Sequence, residues 1–546
     1  MPRSRLSGAV PTFPLILAAA ALAGWLHLQL VVPTGILLAS HGFWQFPPGD
    51  IAFNVLGTES FLRDRSWFFP FAVTSGLLSN GQQVSIVFTD SAPWIAILAK
   101  LLGEDELSVM GMSLALSFIL QPVAFVTLLW TLGVRRLEAL AIGSLLGSLL
   151  PAWYMRMGMH IALSSHWLLL FALALAVSAI RRGVSWWIIV GLTALGALSF
   201  GIHIYLFAMV AAISVGALLA DVARSGVKEA PKALAGLGLF LATAALSAWV
   251  LLSGPSGGVR GFGHFSMNLL SPIFPQRSGI AEILTGHSGR IIDGTSGQYE
   301  GFNYLGAGIL LCVFAASWTF VRSKPSIRGM RPAAPLIAIL VALTGFAVSN
   351  RILVGQFLLA DIPVPDFALA SLSPLRSSGR MFWPVAYLGL ACAVAILDRH
   401  PNRILSVSIL AIGLSAQIVD TTALRRALST QYDATTTPAV DIRPFSTGDD
   451  LRFLPAYSCT NSQHEAARTI ALAVVRSGGV LEDGPVSRFD PAVCNPSEAE
   501  RELTPLRPGR KIFLQTDSLP GGIVEKARRS GRCTPIGSNL LCSADR

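Results

Sequence analysis

The residues best suited to chemistry are carboxylates and arginines set between long apolar runs. Asp50 follows Pro47, Pro48 and Gly49, a turn that holds a short side chain at a defined place. Asp90 sits in IVFTDSAPW, flanked by the hydroxyls of Thr89 and Ser91. A carboxylate so placed can accept a proton from an attacking hydroxyl or ligate a divalent cation. It can equally cap a helix. Asp90 fits either role, and Asp50 is the stronger chemical candidate. Asp64, between Arg63 and Arg65, reads as a surface ion pair, and Glu59 stays open.

Three further clusters are polar where the surroundings are not. Arg156, His160 and His166 lie in MRMGMHIALSSHW, and His203 lies in FGIHIY. Ionisable groups at one membrane level point to a shared cavity, although a lone membrane histidine can simply be hydrogen-bonded packing. The histidines lack a close ligand spacing such as HxxxH. His264 and Asn268 in GVRGFGHFSMNLLSP, with Arg260 before them and Glu300 in QYEGFNYLG, supply polar contacts beside flexible glycines. Arg376 and Arg380 in SPLRSSGRMFWPV stand just before an apolar run. Guanidinium forks bind phosphate oxygens bidentately, while interfacial snorkelling is the plainer alternative.

The elements that must position these groups are membrane helices. Charged residues are only 13% of the 546, about half the usual share of a soluble domain. A polytopic membrane protein follows, and the net charge of +10 marks loop anchoring, not nucleic acid. Apolar runs at 14–38, 107–132, 137–155, 161–180, 184–201, 203–220, 233–252, 304–321, 332–350, 381–397 and 403–419 predict about eleven spans. The first run is read as a retained helix, and the run 95–102 as re-entrant or interfacial. Arg3, Arg5, Arg135, Arg136, Arg181, Arg182, Arg224, Lys228, Arg322, Lys324, Arg328, Arg399 and Arg403 all fall on one side in that count, which is then the cytoplasm.

The fold class expected is therefore mainly α, a polytopic helical bundle over 1–419 with a large first external loop at 39–106. A small soluble α/β extracytoplasmic domain over 420–546 follows it. In that tail the apolar runs LRFLPAY, RTIALAVV and KIFLQTD alternate with helical patterns in SEAERELTPL and GGIVEKARRS. Four of the six cysteines fall there. Cys533 and Cys542 bracket a short turn and are expected to pair, leaving Cys459 for Cys494, in an oxidising compartment. A zinc site is the rival, without a CxxC pair to support it. Cys312 and Cys392, in apolar runs, read as plain core residues.

The order of GD, SIVFTDSAPW, HWLLL, GFGHFSMNLLSPI, EGFNYLG and RSSGRMFWP resembles an uncharacterised bacterial family of multi-spanning membrane proteins, a domain of unknown function. The likeness runs from about residue 40 through the last span. The layout is also similar to that of GT-C glycosyltransferases, which use polyprenyl-phosphate-linked sugars. That resemblance implies a bacterial inner-membrane enzyme with a cytoplasmic N-terminus and a periplasmic tail. It would transfer a sugar to a cell-envelope glycan, lipid or protein. Asp50 would be general base or ligand of a divalent metal, Mg or Mn, and Asp90 would assist it. Arg376 and Arg380 would hold the lipid phosphate, with His203, His166, Arg156, His264, Asn268 and Glu300 as further substrate contacts. The loop lacks the tight DxD or ExD pair of those enzymes. A transporter or flippase of a lipid-linked saccharide is the first alternative, and a non-catalytic envelope assembly protein the second. No clear internal repeat favours transport.

Overall fold

A computed structural model describes residues 12–65, 73–103, 106–252, 261–323, 327–434, 449–459, 465–482, 484, 501 and 509–544. Arg3, Arg5, Arg260, Lys324, Cys494 and all but one residue of the expected helix in SEAERELTPL lie outside that set. The protein is mainly helical with several small sheets. Among the described residues, eight helices are long and apolar enough to cross a membrane, or nine if one bent pair counts as a single span. That pair, Leu137–Gly147 and Pro151–Met157, bends by 47°. Pro151 has no amide hydrogen to continue the first helix, so the chain turns there. The expected spans 184–201 and 304–321 fold as Trp186–Phe200 and Ala307–Ser323, of 15 and 17 residues. They fall below or at the lower edge of the roughly 17–25 residues of a crossing helix. Pro93–Leu102 is a separate apolar helix of 10 residues.

The spans divide by what covers them. Ile161–Arg182 is 83% buried over its most apolar window and forms the centre, with Val109–Leu132 and Ser378–Asp398 packed on it. Phe13–Val31, Val227–Leu251 and Met330–Val348 are only 22% buried and stand at the rim, where Leu30, Trp249 and Val341 are exposed. A helix apolar all round needs either protein or lipid on every face. Polar side chains in the bundle satisfy one another. Gln121 donates to Tyr387 Oη (2.8 Å), which also meets His166 Nδ1 (2.9 Å). Gln417 donates to the carbonyls of Leu149 and Leu305.

After the last span the chain continues as helix Thr422–Asp433 and then changes character. Strands Asp450–Leu454, Arg510–Leu514, Asn539–Ser543 and Cys533–Ile536 form one sheet in that order, the first pair parallel and the others antiparallel. The run RTIALAVV belongs to helix Glu465–Arg476, because Ala467, Ile470, Ala471 and Val474 recur at helical spacing and are buried together. This helix lies against Ile51–Arg63 in the first loop. Cys533 and Cys542 face each other across adjacent strands and form the expected disulfide. Cys312 and Cys392 are free thiols in apolar helices.

Candidate functional site

The polar residues of six sequence-distant segments meet at one end of the bundle. Asp50 occupies the position before helix Ile51–Arg63, and its side chain makes no capping bond. Asp90 ends the short helix Ile86–Thr89 with φ +55, a left-handed backbone that aspartate tolerates better than most residues. The next helix starts from Ala92, so Asp90 does not cap it. The two segments are clipped together. Asn54 Nδ2 donates to the Thr89 carbonyl (3.0 Å), and Ser91 Oγ donates to the Asn54 carbonyl (3.0 Å). One turn further along the helix, a Cβ on Gly57 would stand 1.8 Å from Thr89 Oγ1, so only glycine permits this approach.

His160 lies where the bent pair gives way to the central span, and its backbone N–H donates to the Arg156 carbonyl (2.7 Å). Its ring is ringed by carboxylates. Nδ1 is 3.1 Å from Asp90 Oδ2, and Nε2 is 3.5 Å from both Asp50 Oδ2 and Glu300 Oε1. His203 opens helix Ile204–Leu218. Its Nδ1 accepts the Tyr205 amide (3.2 Å), which places the ring proton on Nε2, 3.2 Å from Asp90 Oδ1. Glu300 Oε2 accepts from Arg156 Nη1 (2.5 Å) and from Arg380 Nη2 (2.7 Å) and Nε (3.2 Å). These three side chains are almost wholly buried. The loops that carry Glu300 and Arg380 touch backbone to backbone, and a Cβ on Gly379 would be 2.5 Å from Gly301 Cα.

The charges close on themselves when His160 is protonated, three carboxylates against two guanidiniums and one imidazolium. Burial disfavours the imidazolium, yet Asp90 and Glu300 outweigh it and push the His160 pKa up to about 9. Burial would raise the Asp90 carboxyl, but His203 and His160 hold it well below the ordinary range. Burial likewise opposes the Glu300 anion, and Arg380, Arg156 and His160 overcome it. His203 is shifted down by burial more than Asp90 raises it, in keeping with the single ring proton deduced above. Exposure separates the roles. The Asp50 and Asp90 side chains remain 26% and 31% accessible, against 7% for Glu300. Asp50 and Asp90 can meet a substrate, and Glu300 orders the cations behind them.

Not every residue singled out in the sequence joins this cluster. Asp50, Asp90, His203, Arg156, Glu300 and Arg380 do. His166 is engaged by Tyr387 and packed on Trp383. Asn268 knits its own loop to Gln298 and Gly355, and the His264 ring packs on Phe265. Arg376 is half-buried over the Phe265 ring. Asp64 is not a surface ion pair. It is buried, with Oδ2 accepting from the Gly76 amide (2.7 Å) and its carbonyl accepting from Lys100. The residue given too little weight is His160, whose position between Arg156 and the central span was its only signal. The carboxylates converge on the His160 ring. Among the described residues no group of three or more His, Cys, Asp or Glu side chains is arranged to hold a metal ion.

No curated protein matches the chain. A family model described as a domain of unknown function, DUF6311, matches residues 21–422. The matched stretch contains every member of the charged cluster and all the candidate spans but the start of the first, and it stops where the tail begins. By that match, the chain belongs to the DUF6311 family.

Proposed function

We propose that this protein is a bacterial inner-membrane glycosyltransferase of GT-C-like layout, with about eleven spans and a periplasmic tail. It transfers a sugar from a polyprenyl phosphate to a cell-envelope acceptor. Asp50 takes the proton of the acceptor hydroxyl. The acceptor oxygen attacks the anomeric carbon, the bond from that carbon to the phosphate oxygen breaks, and polyprenyl phosphate leaves with the electron pair. Attack opposite the leaving group inverts the carbon. His160 orients Asp50 and balances its charge, Asp90 holds the His160 ring, and Arg376 faces the phosphate. Arg380 is committed to Glu300, so its part is to hold that carboxylate. The observation that supports this reading is a pair of accessible carboxylates backed by a buried, charge-balanced network, since catalytic groups need fixed positions and tuned protonation.

The test is Asp50→Asn in a deletion strain, with envelope glycan assembly as readout. Assembly should fail while the protein still accumulates in the membrane. Full rescue by the variant removes Asp50 as base. One observation favours a second reading, a proton-coupled flippase. The chain from His203 through Asp90, His160 and Glu300 to the arginines is continuous, and such chains also serve as proton relays. Translocation of a lipid-linked saccharide by purified protein in vesicles, without sugar transfer, would favour it.

A further inference from the structure

A second polar feature lies at the same end of the bundle, outside the carboxylate cluster. A groove of about 950 Å³ runs between helix Gly279–Thr285 and helix Thr422–Asp433. Arg277, Arg290 and Arg426 line it, with His287 and a single carboxylate, Glu282. Glu282 accepts from Arg426 (2.8 Å). Arg277 and Arg290 are exposed and have no carboxylate partner among the described residues.

The position of the groove fixes what it would meet. Span Arg403–Asp420 ends within a turn of it, and an adjoining groove reaches Leu30, at the end of the first span. The first span leads directly into the segment carrying Asp50, so both features share one side of the bundle. The other end of Arg403–Asp420 carries the paired basic residues Arg399 and Arg403. Four arginines, Arg425 included, therefore gather at the end where membrane proteins tend to have fewer. Beside them Leu30, Ile283 and Leu284 are each more than 70% exposed and Phe274 is 46% exposed among the described residues. Apolar side chains next to guanidiniums match a lipid, with tails in hydrocarbon and a phosphate at headgroup level. The groove is also held rigidly. Asp420 accepts from Ser278 Oγ, which caps the helix after Arg277, and from Tyr304 Oη (2.8 Å) and the Ala307 amide (2.7 Å).

We infer that this groove binds the phosphate of a membrane-embedded lipid through Arg277, Arg290 and Arg426. The inference does not rest on sugar transfer and would stand if that reading fell. Two lipids offer the same chemistry, an anionic phospholipid and a polyprenyl phosphate.

The test uses the purified full-length protein in detergent, with bound lipid counted by native mass spectrometry. Phosphatidylglycerol, a polyprenyl phosphate and phosphatidylcholine are titrated separately. Wild type should retain one or both anionic lipids over phosphatidylcholine, and the tighter of the two identifies the source. The Arg277→Ala/Arg290→Ala variant should bind it about 30-fold more weakly, for two arginines at the headgroup level. Arg403→Ala, at the opposite end, should bind as wild type does. Arg290→Glu serves as a second variant, and its thermal melting shows that the fold is kept. Equal retention by wild type and both groove variants overturns the inference. So does equal binding of phosphatidylcholine, or displacement of the lipid by inorganic phosphate alone.

Discussion

His160 is the residue on which the carboxylate cluster turns. An imidazole in ordinary surroundings loses its proton near pH 6.5, but here it keeps it to about pH 9. A folded pKa above the unfolded one adds stability that is complete below about 6.5 and is lost as pH rises through about 9. The shift corresponds to on the order of 3 kcal/mol. Asp90 and Glu300 work the other way. Held below their ordinary range, they add stability above about pH 4.5 that is lost in acid. Both contributions overlap between roughly pH 4.5 and 6.5, so the melting temperature of the purified protein should peak there and fall toward pH 9. His160→Gln should lose the alkaline fall, and an unchanged alkaline slope would refute the imidazolium assignment. Part of this cluster was legible from residue type and place. Asp50 after a rigid turn, Asp90 between hydroxyls, and His203 at a helix start all stood out. The centrality of His160 was not legible, because its partners lie 110, 70 and 140 positions away. No local spacing records such a meeting.

At the scale of elements, the cluster depends on backbones brought closer than side chains allow. A Cβ at position 379 would meet Gly301 Cα at 2.5 Å and the Met267 amide nitrogen at 3.0 Å. These are backbone atoms, which cannot rotate aside. Gly379→Ala should therefore push the Arg380 segment away from Glu300 and destabilise the protein by about 1–3 kcal/mol. Thermal unfolding in detergent reads this, and a change under about 0.5 kcal/mol would show that the loops can yield. The helices themselves were far more legible than these contacts. Long apolar runs announce spans because hydrocarbon leaves the backbone no other partner than itself. Short runs are harder, as Trp186–Phe200 shows, since its length suits a partial or an interior helix equally. RTIALAVV was ambiguous for another reason. Eight apolar-rich residues on their own fit a buried strand or a helix, and the helical spacing from Ala467 to Val474 shows only when the flanking residues are included.

Across the whole molecule, the tail covers the loop that carries Asp50. Arg476 donates to Glu59 Oε1 (2.9 Å) and to the carbonyls of Trp44 (2.8 Å) and Gln45 (2.5 Å). The Leu481 amide donates to Leu77, and the Asn80 amide to Leu481. Charge-assisted bonds of this kind contribute about 1.5–3 kcal/mol each. Arg476→Ala should thus speed hydrogen exchange at the Asn80 and Leu481 amides by about 10-fold or more, with little change in the central spans. Unchanged exchange at both amides would mean that other contacts hold the tail. The same contact carries a consequence for biosynthesis. Glu59 and Arg476 are 417 positions apart, and translation proceeds at about 5–20 residues per second. The first loop therefore waits roughly 20–80 s after its own synthesis before its cover can exist. During that interval the Phe53 ring, which later lies beneath Arg468, has no lid. A ribosome that stops before residue 465 releases a chain whose spans can insert but whose front door was never hung.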